Sequence, residues 1–167
     1  MRKFPLERKV VHLTLALILL TFGVSSAVFS QAFTTTTNEF VPFAQTAFVP
    51  CANGGAGEFV AVSGILHIQT HVTINQNRLI LKTQFQPQGA AGVGLITGDV
   101  YHGTGVTSFT DTIPNPSGAQ TSTFINNFRF IGPGPDNNLQ VHQNVHITFN
   151  ANGELTSDVD NLSIDCN

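Results

Sequence analysis

The alternation of mainly apolar with mainly polar positions between residues 59 and 74 constrains this fold more than any other feature of the chain. One face of that segment is aliphatic, and the other carries serine, threonine, glutamine and histidine. A two-residue period is typical of a half-buried β-strand, and no later window keeps a helical apolar period over three turns. The segment therefore predicts a strand whose apolar face is Val60, Val62, Leu66, Ile68, Val72 and Ile74.

The following segment, "RLILKTQF", predicts a hairpin partner for this strand. It follows "NQN", which is typical of a turn. Setting Ile74 opposite Leu79 keeps the apolar residues of both strands on one face, which supports the pairing. The register then gives the pairs Val72–Leu81, Ile68–Phe85, His71–Lys82 and His67–Gln86.

The rest of the chain continues as short β-segments. "LITGDVYHG", "TGVTSFTDT" and "STFINNFRFI" each predict a strand, and Phe128 and Phe130 should face inward with Arg129 outward. "QPQGAAGVG" (86–94) predicts a long glycine-rich loop that could cover the mouth of a barrel. We therefore expect an all-β domain, a single antiparallel meander of about seven to eight strands in a small β-barrel, with a β-sandwich as the alternative.

The last hairpin yields a candidate acid–base pair. "LQVHQNVHITFN" alternates, and "ANG" suits a three-residue loop with Gly153 left-handed. That loop sets Phe149 opposite Leu155 and Val145 opposite Val159. It also sets His146 opposite Asp158, a carboxylate that could orient the imidazole for acid–base chemistry.

Two pairs of histidines, His67 with His71 and His142 with His146, are four residues apart. On a strand, residues four apart share a face but stand about 13 Å apart, too far to hold one ion. No metal site is expected. The histidines lie on polar faces, where solvent exposure is the simplest interpretation. A closed barrel could instead gather His67, His71, His146 and Asp158 into a catalytic cluster.

The N-terminal segment predicts export. Four basic residues within the first nine precede an apolar stretch from Val10 to about Val24, and "SQA" at 30–32 suits a cleavage site. An uncleaved anchor over Val10–Phe29 is the alternative. We expect a signal peptide (1–32), a flexible or edge-strand arm (33–49), and one barrel-like domain (50–167). The expected location is secreted or periplasmic, with no membrane span after cleavage.

The charge of the chain from residue 33 excludes two classes of function. Three basic and nine acidic residues give a net charge of −6 with neutral histidines. A basic footprint for nucleic acid is absent, as is a polybasic membrane surface. The glycines at 92–98 lack the Lys-Ser/Thr of a P-loop, and no G-x-S-x-G elbow occurs. No cofactor is expected.

The two cysteines, Cys51 and Cys166, stand near opposite ends of the predicted domain. In an oxidising compartment, such a pair is interpreted as one disulfide. A bond closing a loop of about 115 residues would stabilise the fold by roughly 4–5 kcal/mol in the chain-entropy model.

Three stretches, "PCANGGAGEFVAVSGILH", "FQPQGAAGVGLITGDVY" and "NNFRFIGPGPDNNLQVHQNVHITFNANGELTSDVDNLSIDC", carry a resemblance. Together they resemble a group of uncharacterised secreted bacterial proteins over most of residues 50–166. The resemblance implies export and a single domain closed by the terminal cysteines, and it implies no activity. The strand count is also loosely similar to lipocalin-like and dirigent-like barrels, although no motif supports either.

Two functional hypotheses follow. The first is non-catalytic binding of a small apolar ligand or a surface partner, supported by the inward row of aliphatic and aromatic residues. The second is an enzyme that uses the histidine face. A structural role in an envelope or matrix is a further alternative.

Overall fold

The computed structural model describes residues 32–114, 117–134 and 137–167, so the predicted signal peptide lies outside the described residues except for Ala32. Seven antiparallel strands form one sheet in chain order, so the all-β meander is confirmed. The strands are β1 (Phe33–Val49), β2 (Glu58–Ile74), β3 (Arg78–Gly94), β4 (Val100–Pro114), β5 (Gln120–Ile131), β6 (Leu139–Phe149) and β7 (Leu155–Cys166).

The predicted β2–β3 hairpin is confirmed in every pair. Ile74 lies opposite Leu79, and His71 lies opposite Lys82. Asn75 closes the turn, because its side-chain Oδ1 accepts hydrogen bonds from the backbone N–H groups of Asn77 and Arg78. The alternating pattern therefore determines the register here, since a slip by one residue would expose the whole apolar face.

Residues 33–49 form an edge strand. β1 pairs with β2 along its whole length, from Phe33 opposite Ile74 to Val49 opposite Glu58. Of the two alternatives predicted for residues 33–49, a flexible arm and an edge strand, the structure shows the edge strand. β-branched threonines favour extended backbone, and Pro42 is tolerated because one side of the strand has no neighbour.

The glycine-rich segment 86–94 belongs to β3, so the prediction of a long loop was wrong. A bulge at this point lets Ile65 pair with Gln88 while Ser63 pairs with Ala91. Gly89 adopts a φ of 58°, which a glycine takes without steric cost. The prediction of a strand beginning at Leu95 was also wrong, because residues 95–97 turn the chain and β4 begins at Val100.

The core lies at one end of the sheet and on one face. It gathers the last residues of β1 and β5 with the first residues of β2, β4 and β6. Side chains from strands that are not neighbours meet there, so the sheet is rolled with its apolar face inward. The buried residues are Val49, Cys51, Ala52, Val60, Val62, Tyr101, Phe130 and Leu139. We call this apolar side the inner face and the opposite side the outer face.

A disulfide between Cys51 and Cys166 is confirmed, with Cα atoms 5.4 Å apart. It joins the β1–β2 connection to the end of β7, so it bridges the two edges of the rolled sheet. The sheet is not closed, however, and no β1–β7 ladder exists among the described residues. The prediction of a barrel was therefore wrong. In a seven-stranded meander the first and last strands run parallel, so closure would need a parallel ladder.

Candidate functional site

A cavity of about 360 Å³ opens on the inner face beside the buried core. Alternate residues of five strands, β1 to β5, form its walls, as the two-residue period of a strand requires. Most of the lining is aliphatic or aromatic. It consists of Phe43, Gln45, Val62, Leu66, Phe85, Pro87, Ala90, Thr107, Asn126, Phe128 and Phe130.

Three polar side chains interrupt this apolar lining: Gln45, Thr107 and Asn126. Thr107 and Asn126 lie opposite each other on β4 and β5, and the Thr107 hydroxyl donates to Asn126 Oδ1 over 2.8 Å. This bond orients the Asn126 amide. No described residue that lines the cavity is ionisable. The site therefore combines a neutral apolar wall with a few amide and hydroxyl groups.

The closed end of the cavity is made by aromatic packing against the core. The Phe130 ring meets the Tyr101 ring edge-on, with centroids 6.5 Å apart. The Phe128 and Phe130 rings are likewise perpendicular, with centroids 4.7 Å apart. Both phenylalanines point inward and Arg129 points outward to Gln140, as predicted. Edge-to-face contacts hold these rings in defined orientations, which keeps the wall of the cavity rigid.

A buried carboxylate lies behind this wall. Glu58 occupies an inner-face position of β2 and is only 1% exposed. Its Oε2 accepts hydrogen bonds from the backbone N–H groups of Ile96 and Thr97, at 3.0 and 3.1 Å. Its Oε1 accepts bonds from the Thr97 hydroxyl at 2.7 Å and the Tyr101 hydroxyl at 3.3 Å. Gly94 leaves room for the carboxylate, because a Cβ there would lie 2.5 Å from Oε1.

The hydrogen bonds decide the ionisation of Glu58. Burial raises the pKa of its carboxyl group, because a charge is poorly solvated away from water. The bonds from the side chain and backbone of Thr97, from Ile96 and from Tyr101 lower that pKa by more than burial raises it. Glu58 is therefore held as a carboxylate, and its role is to anchor the β3–β4 turn.

Tyr101 shows the opposite shift. Burial and the negative charge of Glu58 raise the pKa of its phenol to about 12. Tyr101 is fully buried, and its hydroxyl also contacts Asn137 Oδ1 at 3.3 Å. The Glu58–Tyr101 pair is structural, since neither group lines the cavity. The sequence analysis did not predict the Glu58–Tyr101 pair. The position of Glu58 could have indicated it, because Glu58, Val60 and Val62 are two residues apart and therefore share the apolar face.

The four strand histidines lie on the outer face, away from the cavity. On β2, His71 donates from Nε2 to Gln69 Oε1 at 2.9 Å and is hydrogen-bonded through Nδ1 to the Thr36 hydroxyl at 2.8 Å. His67 donates from Nε2 to Asn38 Oδ1 at 3.0 Å, and its ring stacks on Phe40 with centroids 4.6 Å apart. The bonds to Thr36 and Asn38 run across strands and connect β1 to β2, whereas the bond to Gln69 lies within β2.

The histidines of β6 are also hydrogen-bonded to polar side chains of the outer face. His146 bonds the Thr123 hydroxyl through Nδ1 at 2.9 Å, and the Thr148 hydroxyl is 3.3 Å from its Nε2. His142 bonds Asn127 Oδ1. Three strands separate β2 from β6, so the structure does not bring His67 and His71 to His146. Among the described residues no group of three or more His, Cys, Asp or Glu side chains is arranged to hold a metal ion.

The predicted pairing of His146 with Asp158 was wrong. Phe149 does lie opposite Leu155, as predicted, but a bulge follows and His146 lies opposite Val159. Asp158 pairs with Ile147 instead and points to the inner face. The extra residue in β7 reverses the faces of everything beyond it, because side chains alternate along a strand. The candidate acid–base pair therefore lies on two different faces of the sheet.

The remaining histidine of the described strands, His102, lies apart from the cavity. It is exposed on the outer face of β4 and lies opposite Ala91 and Ile131. Within the described part of the chain, no helix has the length and apolar character needed to cross a membrane. No family model, curated protein or solved structure matches this chain.

Proposed function

We propose that this protein binds a small, neutral, mainly apolar ligand in the inner-face cavity, without catalysis. The observation that supports the proposal is the cavity itself, which measures about 360 Å³ and is walled by aromatic and aliphatic side chains. A well-formed apolar pocket with a few convergent polar groups is the usual form of a small-molecule site. The volume is at the lower end of the range of such sites, about 300–1,000 Å³.

The chemistry of the lining narrows the ligand class. An ionised ligand would lose its hydration in the cavity without gaining a countercharge from the lining, which is unfavourable. A neutral alcohol, ester or amide with an apolar chain fits better. Its chain would contact Phe85 and Leu66, and its polar end would bond the amides of Gln45 and Asn126.

Export of the protein belongs to the same proposal. The Cys51–Cys166 disulfide suits an oxidising compartment. The basic and apolar N-terminal sequence suits a signal peptide, and the resemblance to secreted bacterial proteins agrees with it. We infer a secreted or periplasmic binding protein that takes up its ligand outside the cytoplasm.

The test is displacement of Nile red, a neutral fluorescent dye, by decanol from protein recovered after export. Thr107→Phe fills the cavity and should weaken decanol binding about tenfold or more, because a bulky ring removes the space. Thr104→Phe is the matched control, since Thr104 lies on the same strand but is exposed on the outer face. Circular dichroism must show that both variants are folded.

Equal weakening by both variants, or no saturable displacement from the native protein, would contradict a cavity site. Dye binding that survives Thr107→Phe but is lost in Val93→Glu would place the dye on the outer face instead, where Val93 is 48% exposed.

A further inference from the structure

Exposed apolar side chains are concentrated at one end of the outer face, whereas elsewhere on that face they are isolated among polar ones, as Phe40 and Val159 are. The polar part consists largely of Thr, His, Asn and Gln side chains, such as the Thr34–Thr73 pair. At the end that carries the disulfide, six large apolar side chains are between 48% and 70% exposed. We call them the outer patch: Phe48, Phe59, Val93, Leu95, Ile96 and Val100.

The outer patch is continuous across four strands and one turn. Phe48 lies opposite Phe59, with ring centroids 5.2 Å apart. The backbone N–H of Leu95 donates to the Phe59 carbonyl over 2.9 Å, which makes these two residues neighbours across the sheet edge. Val93 lies directly opposite Val100. The six side chains therefore form one surface. Single exposed apolar residues are normal on any protein, but a contiguous apolar patch is not.

The turn that carries Leu95 and Ile96 is held in place from beneath. The Glu58 carboxylate accepts the N–H groups of Ile96 and Thr97, and Gly98 N–H donates to the Gly94 carbonyl at 3.0 Å. Both aliphatic side chains are consequently presented to solvent, at 62% and 70% exposure. Because the buried Glu58 carboxylate fixes the backbone of this turn, the two exposed side chains are already ordered before any contact forms. Such preorganisation lowers the entropy cost of binding.

The area of the outer patch suits association of two identical chains. Its six side chains expose on the order of 600 Å², at the upper end of the largest patch found on ordinary monomers. A standard interface needs about 800 Å² from each partner, so the patch supplies about three quarters of that area and its polar surroundings would supply the rest. We propose that the outer patch is the interface of a two-fold symmetric dimer of this chain.

Charge distinguishes a second copy from a membrane surface. From residue 33 onward the chain has three basic and nine acidic residues, so anionic lipid would repel it. The patch also contains no tryptophan, tyrosine, lysine or arginine, the residues that anchor proteins at a bilayer interface. A second copy carries the same net negative charge, but none of the six contacting side chains is ionised and salt screens the repulsion between more distant charges over about 10 Å.

The experiment is sedimentation velocity over a range of concentrations, on protein recovered after export. The native protein should sediment as a dimer that dissociates on dilution. Val93→Glu should weaken dimerisation by about 100-fold or more, because two-fold symmetry buries the new charge twice. Val159→Glu is the matched control and should leave the dimer unchanged, since Val159 is an outer-face valine of similar exposure, 45%, on β7.

A mixture provides the positive test of self-association. Val93→Glu and Val93→Lys should each be monomeric, and an equimolar mixture of the two should form dimers when residue 93 lies at the two-fold axis, where it meets its own symmetry mate. A native protein that stays monomeric at all concentrations overturns the proposal. Co-sedimentation of that monomer with neutral phosphatidylcholine vesicles, lost in Val93→Glu, would assign the patch to lipid. Equal effects of Val93→Glu and Val159→Glu would also overturn it.

Discussion

The pair of Glu58 and Tyr101 is the most unusual arrangement of individual residues in this molecule. A carboxylate and a phenol are both buried at the closed end of a rolled sheet, where most neighbours are apolar. Each is tolerated because it is hydrogen-bonded, and each buried polar group without a partner would destabilise the fold. Together they connect the core to the turn at Leu95–Thr97.

Tyr101 offers a direct test of this arrangement, because it is the only tyrosine of the chain and there is no tryptophan. Its pKa is raised to about 12 by burial and by the charge of Glu58. The ultraviolet absorbance of the phenolate should therefore show no transition near pH 10 while the protein stays folded. A reversible ionisation near pH 10 in the folded protein would show that the hydroxyl is solvated and the pair absent.

The same shift predicts how stability depends on pH. The unfolded chain deprotonates Tyr101 near pH 10 and the folded chain near 12, so the folded state binds more protons between these values. The contribution of Tyr101 is therefore fully present below pH 10 and is lost as pH rises to about 12. Urea unfolding should show this loss in the native protein. The Tyr101→Phe variant, which has no phenol, should lack it.

At the scale of elements, β-bulges explain where the structure departs from the sequence pattern. The β2–β3 hairpin was predicted pair by pair between its turn and the bulge at Gly89, because alternation over that stretch determines which face is buried. The β6–β7 hairpin alternates equally well, yet one extra residue near Thr156 shifts the strand beyond it. The local sequence does not indicate this bulge, because the residues of "LTSDVD" are compatible with the bulged and with the regular register.

The shifted register can be tested with cysteine pairs. His146→Cys combined with Val159→Cys places two cysteines directly opposite each other on the outer face, where their Cβ atoms should be about 4.5–5.5 Å apart. This pair should form a disulfide under mild oxidation. His146→Cys combined with Asp158→Cys places them on opposite faces and should not. Mass spectrometry after alkylation distinguishes the two outcomes. A disulfide in the 146/158 variant and none in the 146/159 variant would mean that His146 and Asp158 do face each other.

The cavity was beyond sequence reasoning for a different reason. Val62, Leu66 and Phe85 were assigned correctly to the apolar face, but that assignment does not show whether the face is packed or open. The answer depends on how tightly five strands roll, and the bulge at Gly89 affects that curvature. The glycine-rich stretch was interpreted as a loop because glycine is rare inside strands, whereas here Gly94 makes room for the Glu58 carboxylate.

At the scale of the whole molecule, the disulfide joins the edges of a sheet that hydrogen bonds leave open. Cys51 is buried in the core, and Cys166 ends the strand furthest from β1 in the sheet. The described residues include no ladder between β1 and β7, so the disulfide is the covalent link that opposes unrolling. The apolar inner face remains partly accessible at the other end, where Phe33 and Leu155 are 62% and 55% exposed.

Removing the disulfide should therefore have a large effect on stability. The loop it closes spans 115 positions, and the chain-entropy model gives about 4–5 kcal/mol for a loop of this length. The free energy of unfolding in urea, measured for Cys51→Ala with Cys166→Ala against the native protein, should fall by that amount. A loss of under about 1 kcal/mol would mean that the rolled sheet is held by its core alone.

The most direct test of the ligand-binding proposal is a methyl NMR titration of the native protein with decanol. Binding in the cavity should cause saturable shifts at the methyl groups of Val62, Leu66 and Thr107, which line it from two strands. The methyl groups of Val93 and Val159, on the outer face, should not respond. Shifts confined to Val93 and its neighbours, or no saturable shifts at all, would contradict the proposal that the inner-face cavity is the binding site.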